Sequence, residues 1–480
     1  MAGLTRSVAL GLLVASCAPA EEPPVPETRD EPVSRGPLAF ENVTVIDAVR
    51  GPRAGQTVVV DGDRITAADA GAAIPQDARV IDGTGRYLIP GLWDMHVHLT
   101  YDPAFTEAMP GLFLSYGVTS VRDTGGLLEE ILPVVEAMRA DGAVAPRVFF
   151  SGPLLDGQTV VYDGNGRPEI GTRNATPEAA RAQVAALSDA GVDFIKVYEM
   201  VSPQVFDALV TAGRERDLPI AAHVPLSMRA SQVAPRVNSL EHLRNVETDC
   251  TADAQTLLER RREILNDNGE ASGADLRSRL HRLQRLRAVN TYDPARCREV
   301  LAAMDGTIQV PTLRLNALRL QPPFSQEGWM DALDRAPPEV AEPWRAATVE
   351  ARSAPSGADN TFGEWSLFLV GRMHAAGVPV GAGTDTPIGY AMPGYSLHDE
   401  LALLVRAGLP PLEALRSATL RPAEFFGLAG EMGRIAEGYR ADLVLLSADP
   451  LADIQNTRAI DAVVSKGRIF SPEELVGGGG

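Results

Sequence analysis

Cysteine, histidine and positive charge are all scarce in this 480-residue sequence, and each shortage narrows what the chain can be. The 44 lysines and arginines stand against 63 acidic residues, which leaves a net charge of −19 and a pI near 4.9. Nucleic-acid binders need a positive field, so nucleic acid is not an expected partner. Fixed-period repeats are absent, which argues against a solenoid. The N-terminal apolar run, Val8 to Val14, is too short to span a bilayer. What remains is 45% hydrophobic and 22% charged, ordinary for a globular chain long enough to bury one large core and a satellite domain.

With Arg6 ahead of it and Val14-Ala15-Ser16-Cys17 at its end, that short run reads as a targeting segment. It resembles the lipobox of bacterial lipoproteins, in which the cysteine becomes the lipidated first residue; an ordinary cleavage site is the blander alternative. Residues 1–17 are therefore expected to be a signal peptide with Cys17 lipidated, and residues 18–37, rich in Pro and Glu, a flexible tether. This places the protein in the bacterial cell envelope, lipid-anchored on the periplasmic face, or secreted. Membrane contact would come only through the lipid. Cys250 and Cys297 are the remaining cysteines, and an oxidising compartment allows a disulfide between them. Two buried thiols would serve equally, because two cysteines are too few to test a spacing pattern.

Residues 38–89 alternate in the manner of short strands, with Val43-Thr44-Val45-Ile46 and Thr57-Val58-Val59-Val60 followed by the hairpin turn Asp61-Gly62-Asp63. Residues 432–475 repeat that character in Ala441 to Leu446 and Ala462 to Val464, so the two ends are expected to build one small β-sandwich domain. Between them, residues 90–431 alternate strand and helix. Candidate strands are the one carrying His96 and His98, then Val118 to Val121, Arg147 to Phe150, Phe194 to Val197, Ile220 to Ala222, Ser239-Leu240, Ile308 to Val310 and Val378 to Ala382. Pro177 to Ala190 and Pro203 to Arg216 have helical composition. Eight alternating units predict a parallel, closed (β/α)₈ TIM barrel with its active site at the C-terminal strand ends. Two connections, residues 243–306 and 314–370, exceed a simple crossover and are expected either to shape the pocket or to pack outside the barrel. In the first, Leu276, Leu280, Leu283 and Leu286 form a stripe expected to face the core.

Residues two apart on a strand share a face, so His96 and His98 can present two imidazoles to one metal ion. Lys196, His223, His242 and Asp385 then fall at the ends of later strands. Any one of them could be a satisfied core residue, but packing alone does not readily place six polar groups at one end of a barrel. His374 and His398 lie on apparent helices and read as structural, and His281, in the charged insertion, is assigned no role.

The segments Pro90-Gly91-Leu92-Trp93-Asp94-Met95-His96-Val97-His98, Gly117 to Asp123, Phe194-Ile195-Lys196, Glu241-His242 and Gly383-Thr384-Asp385 resemble the amidohydrolase superfamily. Within it, they are most similar to the binuclear branch of imidazolonepropionase-like and Xaa-Pro or Xaa-Arg dipeptidase-like enzymes. The resemblance covers roughly residues 38–470. It implies two divalent metal ions, zinc by expectation: His96 and His98 on one, His223 and His242 on the other, a bridging Lys196, and Asp385 as both metal ligand and catalytic proton carrier. An ammonium cannot ligate a cation, so Lys196 would have to be carboxylated, and its Phe-Ile flank favours the neutral amine that reacts with CO₂. A buried salt bridge from Lys196 to Glu199 or Asp385 is the plainer alternative. The implied chemistry is hydrolysis of an amide bond by a metal-bridging hydroxide, with Asp385 moving the proton. Dipeptides or N-acyl amino acids are the expected substrates.

Two contexts depart from the family pattern, Ala222-His223-Val224-Pro225 and Glu241-His242-Leu243-Arg244, which puts the substrate in doubt. Arg244 and Arg314, after the sixth and seventh strands, could clamp a substrate carboxylate or pair with acidic neighbours, and Tyr198 could face the pocket. Hydrolysis of a cyclic amide or a lactone stays open, as does a metal-dependent binding lipoprotein without turnover, and so does assembly into a homo-oligomer.

Overall fold

The computed structural model describes residues 36–267, 269, 271–353 and 359–476. Cys17 and nearly all of the expected tether lie outside the described residues. Among the described residues, no helix is long and apolar enough to cross a membrane.

The two ends of the described chain meet in one eight-stranded sheet. Leu38–Asp47 pairs antiparallel with Gly51–Asp61, which turns through Asp61-Gly62-Asp63 into Arg64–Asp69. Tyr87–Pro90 lies parallel to Leu38–Asp47 and antiparallel to Leu443–Leu446, which in turn pairs with Ile460–Ser465. The tight turn requires the positive φ of Gly62, 57°, a conformation that costs glycine little. Phe40, Val43, Val58, Ile65, Leu88, Leu443 and Val464 form an apolar core of their own under this sheet.

The central region forms the expected parallel barrel strands. Leu92–Val97, Val118–Asp123 and Arg147–Phe150 pair in that order. Ile195–Val197, Ile220–Ala222, Ser239–Glu241 and Ile308–Val310 form a second parallel run. The amide of Asp193 donates to the carbonyl of Phe150 at 2.9 Å and links the two runs. Residues 378–386 close the circle without a full ladder: Val380 bridges Gln309 on one side, and Thr386 bridges Val97 on the other. Gly383 is needed at this closure, because a Cβ there would sit 2.8 Å from the Cβ of His96 and 2.7 Å from Val310. Its absence lets the last strand lie against the first and brings Asp385 to the histidines.

The helices start where their caps dictate. Thr176 accepts from the amide of Ala179 ahead of Pro177–Asp189, and Ser202 accepts from that of Val205 ahead of Pro203–Arg214, each with proline in the first turn. The first insertion contains Ala254–Asn266, Gly273–Asn290 and Pro294–Ala302, and a disulfide joins Cys250 to Cys297 around it.

The leucine stripe needs correction. Leu276 and Leu280 are buried with Leu226 and Ile264, but Leu283 is 55% exposed and Leu286 43%. Spacing of four continues the buried face through Gln284 and Ala288, with Arg277 beside Leu276. Gln284 tolerates burial because its amide donates to the carbonyl of Leu257 at 2.9 Å.

Candidate metal centre

His96, His98, Lys196, His223, His242 and Asp385 all line one cavity of about 310 Å³ at the C-terminal ends of the barrel strands. Nε2 of His96 and Nε2 of His98 each lie 3.2 Å from Oδ1 of Asp385. Ligand atoms of these three residues fall within 4.8 Å of one another, close enough to hold one metal ion. The His242 ring stands 4.4 Å from that of His96 and 4.8 Å from that of His223, which joins the second pair to the first.

Each imidazole is oriented through its other nitrogen. Nδ1 of His96 meets Oε2 of Glu241 at 2.7 Å, Nδ1 of His98 the carbonyl of Gly125 at 3.0 Å, and Nδ1 of His223 Oε1 of Glu199 at 2.8 Å. Nδ1 of His242 meets the hydroxyl of Thr312 at 2.7 Å, and that hydroxyl donates to the carbonyl of Pro311, so it must accept from the ring. Carbonyls and carboxylates also only accept. All four Nδ1 atoms therefore carry the proton, which leaves Nε2 to ligate, as metal-binding histidines need; Nε2 of His96 and of His98 would share Oδ1 of Asp385 with the ion they hold.

For the second pair electrostatics point the same way, whereas at His98 the Asp385 carboxylate outweighs burial and raises the imidazole. Burial pulls the His223 imidazole down to about 3 and His242 well below its usual range, so both stay neutral. Burial opposes ionisation of Asp385, but His242, His96 and His98 outweigh it and hold the carboxyl well below its ordinary range. Lys196 is fully buried, its Nζ has no hydrogen-bond partner, and burial lowers its ammonium to about 8. Its nearest carboxylate is Glu241, 3.9 Å from Nζ, rather than Glu199 or Asp385. An amine with no hydrogen-bond partner among the described residues, beside four imidazoles and a carboxylate, fits a divalent-metal site better than a close salt bridge. His242, Thr312 and Asp385 also have left-handed φ values of 59°, 44° and 63°, strain that surrounding structure must impose.

Behind the ligands sits a buried network. Arg122 donates from Nη2 to Glu241 at 2.7 Å and from Nη1 to Ser239 at 3.0 Å, while its guanidinium stacks 4.5 Å from the ring of Phe425. Asp94 accepts from the amide and the hydroxyl of Thr384, at 3.0 and 2.6 Å, and so fixes the turn that carries Asp385.

Tyr198 and Arg244 line the cavity, the tyrosine ring 4.4 Å from His223. Arg314 does not. Its guanidinium donates to the carbonyls of Thr384, Ile388 and Gly389, so three of its five donors hold the loop after Asp385. Both insertions reach the site: Arg277 and Arg285 from the first, Leu315, Asn316 and Phe362 from the second. His281, given no role above, lies 3.0 Å from Oε2 of Glu199. His398 is buried between the hydroxyl of Thr457 and the carbonyl of Tyr116, a structural position, and His374 lies outside the cavity. The Nδ1 partners Glu199, Glu241 and Thr312 were not anticipated, although Glu241 adjoins His242 in the chain.

The amidohydrolase family profile matches residues 367–470. Ochratoxinase from Aspergillus niger is 38% identical over 100 residues, 20% of each chain, so the match spans about a fifth of that relative's length. Imidazolonepropionase from Symbiobacterium thermophilum is 26% identical over 454 residues, 89% of this chain and 94% of that one. A crystal structure of a Xaa-Pro dipeptidase with methionine in its active site superposes with a TM-score of 0.65 at 18% identity, covering 91% of this chain and all of that one, a likeness of fold. Residues 367–470 thus match the amidohydrolase family, and over most of its length the chain is similar in sequence to an imidazolonepropionase and in fold to a Xaa-Pro dipeptidase.

Proposed function

We propose that the protein is a metal-dependent hydrolase that cleaves the carbon–nitrogen bond of small amides, with dipeptides or N-acyl amino acids as substrates. One observation carries the reading: four imidazoles whose Nδ1 protons are tied off face one cavity together with Asp385 and a buried lysine amine that has no hydrogen-bond partner among the described residues. His96, His98 and Asp385 would hold one divalent ion and His223 and His242 a second, with carboxylated Lys196 between them. Two such ions, zinc by the nitrogen-rich donor set, would supply Lewis acidity and an acidified water.

The chain's own part follows from its contacts. Asp385, held ionised by its histidine neighbours, is placed to take the proton of the attacking water and return it to the departing amine. The buried Lys196 amine, drawn toward its neutral form, is able to react with CO₂ to give a carbamate. Glu241 and Glu199 keep their imidazoles in the ligating tautomer. The Cys250–Cys297 disulfide supports an extracytoplasmic location, in line with Cys17 as a lipid-anchored residue in the cell envelope.

Metal analysis of wild type and Lys196→Ala, paired with a screen of dipeptides, N-acyl amino acids and ring-closed amides, tests the reading. Wild type is expected to bind two metals per chain and to hydrolyse linear amides, and the variant to lose metal and at least ~10³-fold in kcat/KM. A variant that keeps both metals and full activity removes the bridging role of Lys196.

A further inference from the structure

Three arginines line the cavity, and their charges do not balance. Arg244, which follows the sixth barrel strand, and Arg277 and Arg285, from the insertion helix Gly273–Asn290, all line the cavity. Two of the three have counter-charges. Nε of Arg277 donates to Oε1 of Glu199 at 2.9 Å, and Nε of Arg285 donates to Oε1 of Glu247 at 2.5 Å. Arg244 has none: among the described residues it forms no ion pair, and its buried Nε lacks any partner. Arg285 adds a second free donor, a buried Nη2 that bonds to nothing.

A guanidinium stays cationic at any pH at which proteins fold, and burying one without a counter-ion is costly. A bound anion would remove that cost. One uncompensated cation matches a single negative charge, and the planar fork of arginine matches the two oxygens of a carboxylate. Position narrows the ligand further. Arg244 stands two residues from His242, so a carboxylate held there would lie beside the metal ligands, as the short distance between an α-carboxylate and its own amide requires. Tyr198, Phe362 and Leu315 provide apolar surface for the remainder of the molecule.

We infer that Arg244, assisted by Arg285 from the insertion helix, is a specificity-determining anion site that receives the free carboxylate adjoining the scissile amide. The enzyme then acts on acyl derivatives with a free carboxyl terminus and discriminates against those in which that carboxyl is capped. The inference rests on the hydrolytic reading of the cavity, and it assigns Arg314 no share in the recognition.

The test pairs a series of N-acetyl amino acids with their C-terminal carboxamides. Binding is measured by titration calorimetry in the Asp385→Asn background, and kcat/KM in the otherwise unchanged enzyme. Each acid is expected to bind about 10- to 100-fold more tightly than its amide, the range for charge-assisted hydrogen bonds, and Arg244→Gln to reduce that ratio to within about threefold. Arg244→Lys keeps the charge and loses the fork, so it carries the test if the glutamine variant does not fold; its ratio is expected to fall at least about threefold. Equal binding of acid and amide, or a ratio unchanged in the Arg244 variants, overturns the anion site. If no pair is hydrolysed while the acids still outbind the amides, the hydrolytic reading fails and the anion site stands. If amides are cleaved without regard to the capping group, the hydrolytic reading stands and the anion site falls.

Discussion

The two histidine pairs of the cavity are supported by different parts of the chain. Behind His96 and His98 stand Glu241, Arg122, Ser239 and the carbonyl of Gly125, all on barrel strands or immediately beyond them. Behind His223 stands Glu199, and the charge of Glu199 is met by Arg277 from the insertion helix, with His281 3.0 Å away. The first pair is held by the framework of the fold; in the second, His242 rests on the framework through Thr312, and His223 depends on a segment added to it. The two halves should therefore come apart under mutation, and three changes test that.

Removing the framework carboxylate should do the most damage. Glu241→Ala leaves Arg122 as an uncompensated charge in a fully buried position and frees Nδ1 of His96. Loss of one partner of a buried pair costs about 3–5 kcal/mol, so urea unfolding should register a deficit of that size, together with loss of activity. A deficit under about 1 kcal/mol would mean that Arg122 finds other support, and the contrast between the halves would weaken. Next comes the disulfide. Cys250 and Cys297 close a loop of 47 residues around the insertion, for which the chain-entropy relation gives about 4 kcal/mol. The double serine variant should lose about 2–4 kcal/mol in thermal unfolding and still retain metal at the His96 and His98 half. Loss of metal from both halves would make the insertion essential to the barrel itself.

The sequence made the candidate ligands legible for a physical reason: alternation along strands and the common polarity of parallel strands bring separate motifs to one mouth. Lysine usage offered a further signal. The chain has only two lysines, Lys196 and Lys466, and uses arginine for its other basic positions, so a lysine kept on a buried strand calls for amine chemistry that a guanidinium cannot perform. Arg314 misled because its acceptors lie 70 to 75 residues downstream, in a loop whose path the sequence does not specify. Glu199 and Glu241 were hidden for a related reason: a carboxylate next to a ligand on a strand looks the same in sequence whether it faces an imidazole or an ion pair. The eighth strand was recognisable by composition, and backbone hydrogen bonds tie it to both neighbours, from Met95 to Ala382 and Asp385 to His96 on one side and from Gln309 to Pro379 and Gly381 to Gln309 on the other.

The smallest expected effect gives the sharpest comparison. Glu199→Gln retains the shape of the side chain and an oxygen that can accept from Nδ1 of His223, but it removes the charge that Arg277 meets. The His223 ring then loses its firm orientation, while the contacts of His96 and His98 are untouched, because none of them involves Glu199. Changes of this kind behind a metal ligand cost about 10- to 100-fold in affinity. Competition with a chelator should therefore resolve two classes of metal in the variant: one weakened by that factor and one bound as in wild type. Two metals released together, at one chelator concentration, would instead mean that the halves are coupled through Lys196 strongly enough that neither is held alone.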